Sequence, residues 1–137
     1  MTLEDYICQL AKDLKMENTP EKNEDSIFQI DINNELSIYL QDLESKCYCW
    51  SMLGNVPKKD NEDLFLYLMK ANLLYQATGN SSIGMDESSK YFIFSSFFNY
   101  ELNYQEFKGE LEDFLNYFIY WKEEIKKFKE QQQNKLL

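Results

Sequence analysis

Between Phe28 and Met52 apolar and polar residues alternate in three successive runs. Phe28, Ile30 and Ile32 alternate with Gln29 and Asp31. Leu36, Ile38 and Leu40 then alternate with Ser37, Tyr39 and Gln41, and Tyr48, Trp50 and Met52 with Cys47, Cys49 and Ser51. Side chains two apart share one face of a strand, so a period of two predicts three strands and leaves little room for a helix here. Asn33-Asn34 marks a tight turn between the first two, since asparagine tolerates positive φ. The predicted product is an antiparallel meander with one wholly apolar face, its opposite face carrying Tyr39, Cys47 and Cys49.

On either side of the meander the period changes to that of a helix. Over residues 2–16, Leu3, Tyr6, Ile7, Leu10, Ala11 and Leu14 form one stripe, and Thr2 with Asp5 approximates a capping box. Residues 17–25 are a polar link. After Leu53-Gly54-Asn55-Val56-Pro57, Asp60 is placed to cap a second helix over 61–78. That helix carries two stripes: Leu64, Tyr67, Leu68, Ala71, Leu74 and Tyr75 on one side, and Leu66, Met69, Leu73 and Ala77 nearly opposite. A surface helix needs one apolar stripe, so the second calls for a cover, most simply another subunit. Gly79 is a natural helix stop. A short strand follows over 82–85, a polar turn over 86–89, and a strand over 91–98 that is apolar on both faces. The last helix starts near Asn103, with Glu106 completing its cap. Its stripe is Tyr104, Phe107, Leu111, Phe114, Leu115, Phe118, Trp121, Ile125 and Phe128, and 129–137 read as a frayed tail.

The 137 residues suit one α+β domain, 44% apolar and 16% aromatic. A formal charge of −10 disfavours nucleic acid and anionic lipid, and suits basic partners. Histidine and arginine are absent, which excludes a Ser-His-Asp triad and any histidine-containing metal site. Cys8, Cys47 and Cys49 are an odd set, expected as reduced thiols in a cytoplasm. Cys47 and Cys49 face the same way and offer two zinc ligands, but no second pair exists, so packing is their expected role. MTLEDYICQLAKDL carries acids and no unbroken apolar run, unlike a secretion signal, and no membrane span is expected.

Gly79 and Gly84 have the spacing that opens a phosphate-binding loop, yet the positions for lysine and Ser/Thr hold Met85 and Asp86. The order is also inverted, running helix to strand. Gly84 is expected as a strand glycine that another backbone approaches closely. Glu112-Asp113 and Glu123-Glu124 are consecutive on a helix and cannot converge on one site. No catalytic residue, cofactor or metal is implied. What is left is an excess of apolar surface, the signature of an interaction protein.

Four stretches carry a resemblance: LGNVP after the third strand, LFLYLMKANLLYQATG, SSIGMD, and YQEFKGELEDFLNYFIYW with Phe107, Phe114 and Trp121 in step. In these, and in its helix, three strands, helix, two strands, helix order, the chain resembles the class I type III secretion chaperones, the Tir-chaperone (CesT-like) family of small acidic bacterial proteins. The resemblance spans nearly the whole chain. It implies an α+β fold, a twisted antiparallel sheet flanked by three helices. It also implies a dimer through the second helix and neighbouring strand (Leu66, Met69, Leu73, Ala77, Ile83 and Gly84), either a homodimer or a heterodimer with a related chaperone. Asn72 is expected to make structural hydrogen bonds. The implied function is to hold the N-terminal segment of a secreted effector extended in the bacterial cytoplasm, without nucleic acid or membrane insertion, until an export ATPase takes it. Candidate effector-binding residues are Tyr6, Ile7 and Leu10 with Phe28, Ile30 and Ile38, which also fit a plain core. The alternatives are an acidic adaptor or regulator outside secretion, an acidic nucleic-acid mimic, and a small enzyme with a closed polar pocket and strongly shifted pKa values.

Overall fold

Thr2 and Asp5 start the first helix by satisfying each other's backbone: the Asp5 amide donates to Thr2 Oγ1 (3.2 Å) and the Thr2 amide to Asp5 Oδ2 (2.9 Å). The computed structural model describes residues 2–73, 77–99 and 101–135. Its elements are α1 (Leu3–Asp13), β1 (Ile27–Asp31), β2 (Ser37–Asp42), β3 (Lys46–Asn55), α2 (Glu62–Ala71), β4 (Ser82–Met85), β5 (Tyr91–Asn99) and α3 (Tyr104–Lys135). The strands form one sheet in the order β1-β2-β3-β5-β4, which leaves β1 and β4 at its edges. The β1–β2, β2–β3 and β4–β5 pairs are antiparallel. The architecture is the expected α+β arrangement of three helices and a five-stranded antiparallel sheet.

The chain divides into two compact units, Met1–Ser51 with Ser96–Glu112, and Met52–Ser95 with Asp113–Leu137, so that β3, β5 and α3 each contribute to both. In the first unit α1 buries Leu3, Tyr6, Ile7, Leu10 and Ala11. The Tyr6 ring stacks on Phe107 (5.0 Å between centroids), and Phe107 meets Phe98 edge-on at 5.9 Å. Leu14 closes the predicted stripe but lies past the helix end and is half-exposed. Phe28 and Ile30 face inward with Ile38 and Leu40, as the alternation predicts. The Asn33-Asn34 turn works by another route than positive φ: Asn33 Oδ1 accepts from the amides of Glu35 (2.8 Å) and Leu36 (2.9 Å).

β3 faces opposite to expectation. Cys47, Cys49, Ser51 and Leu53 are buried, and Tyr48, Trp50 and Met52 point outward. Alternation fixes which residues share a face but not which face is inward. Small cysteines fit opposite the branched chains of β2, with Leu40 across from Cys49, while the bulky rings need the open side.

In the second unit Phe94 packs against Phe114 (5.2 Å) and Phe118 (6.3 Å), and Tyr67 against Trp121 (5.4 Å) and Phe128 (5.7 Å). The cap of α2 is Asn61 rather than Asp60, and Asn61 Nδ2 donates to the Pro57 carbonyl. α2 is shorter than its pattern suggests. It ends at Ala71 because Asn72 turns its amide to β4, donating to Ile83 O and accepting from Ile83 N, both at 2.8 Å. Leu74 and Tyr75 lie outside the described residues. Ala77 sits in a turn, where its carbonyl accepts from Trp121 Nε1 at 2.7 Å. Gly79 has φ +58°, and a Cβ there would overlap the Tyr117 ring, so it serves this turn rather than a helix end. α3 carries the Asn103–Glu106 capping box and runs to Lys135, so the expected frayed tail is helical for most of its length.

Phe114 is 2% exposed and wedged between rings. Phe114→Ala is expected to cost about 3–5 kcal/mol in urea unfolding; a loss under about 1 kcal/mol means the α3 stripe is not core.

Candidate functional site

The six residues expected to line an effector groove are all in the core. Tyr6, Ile7, Leu10, Phe28, Ile30 and Ile38 are none of them more than 4% exposed. The periodicity located an apolar face correctly, but the chain's own fold covers it. These side chains therefore offer a partner no surface in this arrangement.

In the first unit the outer face of the sheet carries accessible apolar surface. Because β3 presents its aromatic side outward, Trp50 stands directly across from Tyr39, with ring centroids 5.4 Å apart and nearly parallel. Tyr48 stacks on Trp50 at 5.1 Å and meets Phe97 of β5 at 4.9 Å. The Lys46 ammonium lies 4.2 Å over the Phe97 ring. Four rings from three strands thus form one continuous row. Tyr39, Tyr48 and Trp50 are half-buried, and Phe97 is 56% exposed. The rings hold one another in place, so the row is organised before any partner arrives.

The inward cysteines are correspondingly inert. Burial, with a smaller contribution from the Asp42 charge, pushes the Cys47 thiol up to about 12, and burial pushes Cys49 well above the ordinary thiol range. A buried thiol held in its protonated form is a poor nucleophile. Among the described residues no group of three or more His, Cys, Asp or Glu is placed to hold a metal ion. Tyr67 is raised to about 12 by desolvation and then by its hydrogen bond to Glu124 (2.9 Å). Such shifts carry groups away from neutrality, the wrong direction for general acid–base work.

The second unit exposes the other stripe of α2. Leu66, Met69 and Leu73 are 52%, 70% and 62% exposed, while Leu64, Leu68 and Ala71 on the opposite side are buried. Beside the stripe lies a shallow apolar cleft of about 170 Å³, walled by Phe65, Leu68 and Met69 of α2 and by Ile83, Gly84 and Met85 of β4. Ile83 itself is 7% exposed and Ala77 half-buried, so of the expected interface they contribute least. Among the described residues no neighbouring atom lies within 4 Å of where a Gly84 Cβ would sit, so they do not make the close approach expected there. Among the described residues no helix is long and apolar enough to cross a membrane.

Comparison with known proteins gives a consistent picture. The sequence profile of the Tir chaperone protein (CesT) family matches residues 6–122. A search of curated protein sequences returns no significant match. Among solved structures, the chain superposes on a chain of the HopA1–SchA chaperone–effector complex with TM-score 0.71 at 18% identity, covering 88% of this chain and 92% of that one. A chain of the ExsC–ExsE complex gives TM-score 0.73 at 14% identity, over 90% and 96%. A chain of the complex of the Yersinia pestis type III secretion chaperone SycH with a fragment of YscM2 gives 0.66 at 14% identity, over 88% and 99%. At such identities the likeness is one of fold.

The facing of β3 is directly checkable. With a thiol-specific chromogenic reagent at mild alkaline pH, Cys47 and Cys49 are expected to react only after unfolding in urea, whereas half-exposed Cys8 reacts in the native protein. Rapid native reaction at Cys49 means that β3 faces the other way.

Proposed function

The chain belongs to the Tir chaperone protein (CesT) family, and from that premise we propose that it holds the N-terminal segment of a secreted effector, soluble and extended, in the bacterial cytoplasm until export. The observation that carries this reading is the row Tyr39–Trp50–Tyr48–Phe97 on the outer sheet face. Stacked rings in contact with water suit a chaperone that must grip unfolded apolar segments. Aromatic rings bury much area at little cost in side-chain entropy, which suits tight but reversible binding. β1 is an edge strand of the same sheet, and beyond Ile27, whose amide and carbonyl pair with Asn23, its edge offers backbone groups to an extended client. Binding energy alone holds the client, with no catalytic step and no cofactor. The solved relatives in complex with their partners, HopA1–SchA among them, support this reading by analogy of fold.

We further propose that two copies, or one copy and a related chaperone, join through Leu66, Met69, Leu73, Ala77, Ile83 and Gly84. Burying a leucine or methionine side chain gains about 1.5–3 kcal/mol. Leu66, Met69 and Leu73 retain most of that gain because they are more than half exposed in one chain. Gly84, with open space at its Cβ position, lets a second backbone come close.

Two measurements test these proposals. The complex purified from the native host should weigh, by native mass spectrometry, as two chaperone chains with one client. Against that client Trp50→Ala with Phe97→Ser should weaken binding by about a hundredfold, or ~2.7 kcal/mol, while unfolding stays cooperative at a lowered midpoint. Affinity within twofold of the parent removes the aromatic row from the function. Leu73→Glu should leave a monomer at micromolar concentration by sedimentation, and a persistent dimer places the interface elsewhere.

A further inference from the structure

A second, chemically different surface lies in the unit built from Met52–Ser95 and Asp113–Leu137. Between the end of β3, the start of α2 and the β4–β5 hairpin runs an open cleft of about 670 Å³. None of the residues that line it is acidic, and two, Lys58 and Lys90, are exposed lysines. In a chain with 24 acids against 14 basic residues, all of them lysine, such a surface is a local reversal of sign. Asn61 and Ser89 add polar side chains to the wall, and Phe65, Met85 and Tyr91 give it an apolar side.

Three details set the shape and charge of the cleft. Asp86, at the β4–β5 turn, keeps its negative charge but spends its oxygens on that turn, accepting from Ser88 Oγ (2.6 Å) and from the amides of Lys90 (3.0 Å) and Tyr91 (3.1 Å). A third lysine, Lys129 of α3, reaches the margin and donates to the carbonyl of Asn55, itself part of the wall (2.5 Å). The Val56 amide donates to the Lys90 carbonyl at 2.8 Å, which ties the two sides of the cleft together. Lys129 belongs to the part of α3 beyond residue 122, where the match to the family profile ends. This third cation is therefore supplied by a helical segment outside the shared family region.

We propose that this cleft docks an acidic polypeptide segment of a protein partner, one that carries an aromatic or aliphatic side chain next to its carboxylates. Lys58 and Lys90 meet the carboxylates, while the apolar residue lies against Phe65, Met85 and Tyr91. A small inorganic anion uses the lysines but leaves the volume and the apolar wall unfilled. A basic segment, which the net charge of the whole chain favours, is repelled here. The cleft thus selects a partner of opposite charge from the one the rest of the surface attracts, and its occupancy is independent of the aromatic row.

The experiment uses the full chain, labelled with ¹⁵N, and two blocked synthetic peptides: glutamates flanking one phenylalanine and one leucine, and the same peptide with lysine for every glutamate. The acidic peptide is expected to move the amides of Asn61, Lys90 and Tyr91 along saturable curves that weaken as salt rises. Binding should fall by about tenfold or more in Lys58→Glu/Lys90→Glu, whose two positions are exposed and leave the core intact. No saturable shift with the acidic peptide, equal shifts with the basic one, or equally tight saturation by inorganic phosphate overturns the proposal. A change of oligomeric mass in the double variant also overturns it, since the cleft then faces a second copy.

Discussion

Leu40 and Cys49 stand opposite each other across β2 and β3, and neither has exposed surface. Much else in the first unit depends on that pair. Once Cys49 is inside, the pleat of the strand sends Trp50 outward to face Tyr39, and Tyr48 and Met52 follow. A shift of register by one residue would bury the rings and expose the thiols. Phe28, Ile38, Leu40, Phe98 and Phe107 are buried in the same unit and supply the bulk of its core. The inward choice of a small residue thus creates the outward aromatic face, and a packing constraint sets the chemistry of a surface.

The second unit shows the same division of labour on a helix. Leu64, Leu68 and Ala71 bind α2 to its own core, with Tyr67 anchored on Trp121 and Phe128. The other side of the helix is left apolar and open. Asn72 then ends the helix by pairing with both backbone groups of Ile83, which joins the helix end to the edge strand. Asn72 and Gly84 thereby line one apolar cleft, with Met69 exposed at its wall.

Much of this was legible in the sequence, for identifiable reasons. The α3 stripe is long and strictly periodic, and nearly all of its residues are buried. The capping boxes of α1 and α3 were readable from Thr2–Asp5 and Asn103–Glu106, because each needs only local residues. The facing of β3 was not readable, because alternation is symmetric and hydrophobicity favours rings over thiols. Cross-strand pairing, with Leu40 opposite Cys49, is a long-range relation that alternation does not carry. The length of α2 was overread because Asn72, a modest helix former, has a long-range partner in β4 that no local pattern reveals. The lysine cleft gave no signal at all, since Lys58 and Lys90 are 32 positions apart and meet only through the β3 and β5 chain ends.

Magnitudes decide which apolar surface is available to a client. Using Tyr6, Ile7, Leu10, Phe28, Ile30 and Ile38 would mean withdrawing six buried side chains from the core. At about 1.5–3 kcal/mol each, the loss is roughly 9–18 kcal/mol, as large as the 5–15 kcal/mol or so that stabilises a typical domain. Opening the core to a client would therefore unfold the chaperone unless the client replaced every lost contact. The outer row requires no such exchange. Its rings are already stacked, so a client segment that covers them adds burial without displacing anything. Release by the same route needs no core side chain to return to its place. A face that is complete without its client can pass that client on without itself refolding, and this is the property an export chaperone needs.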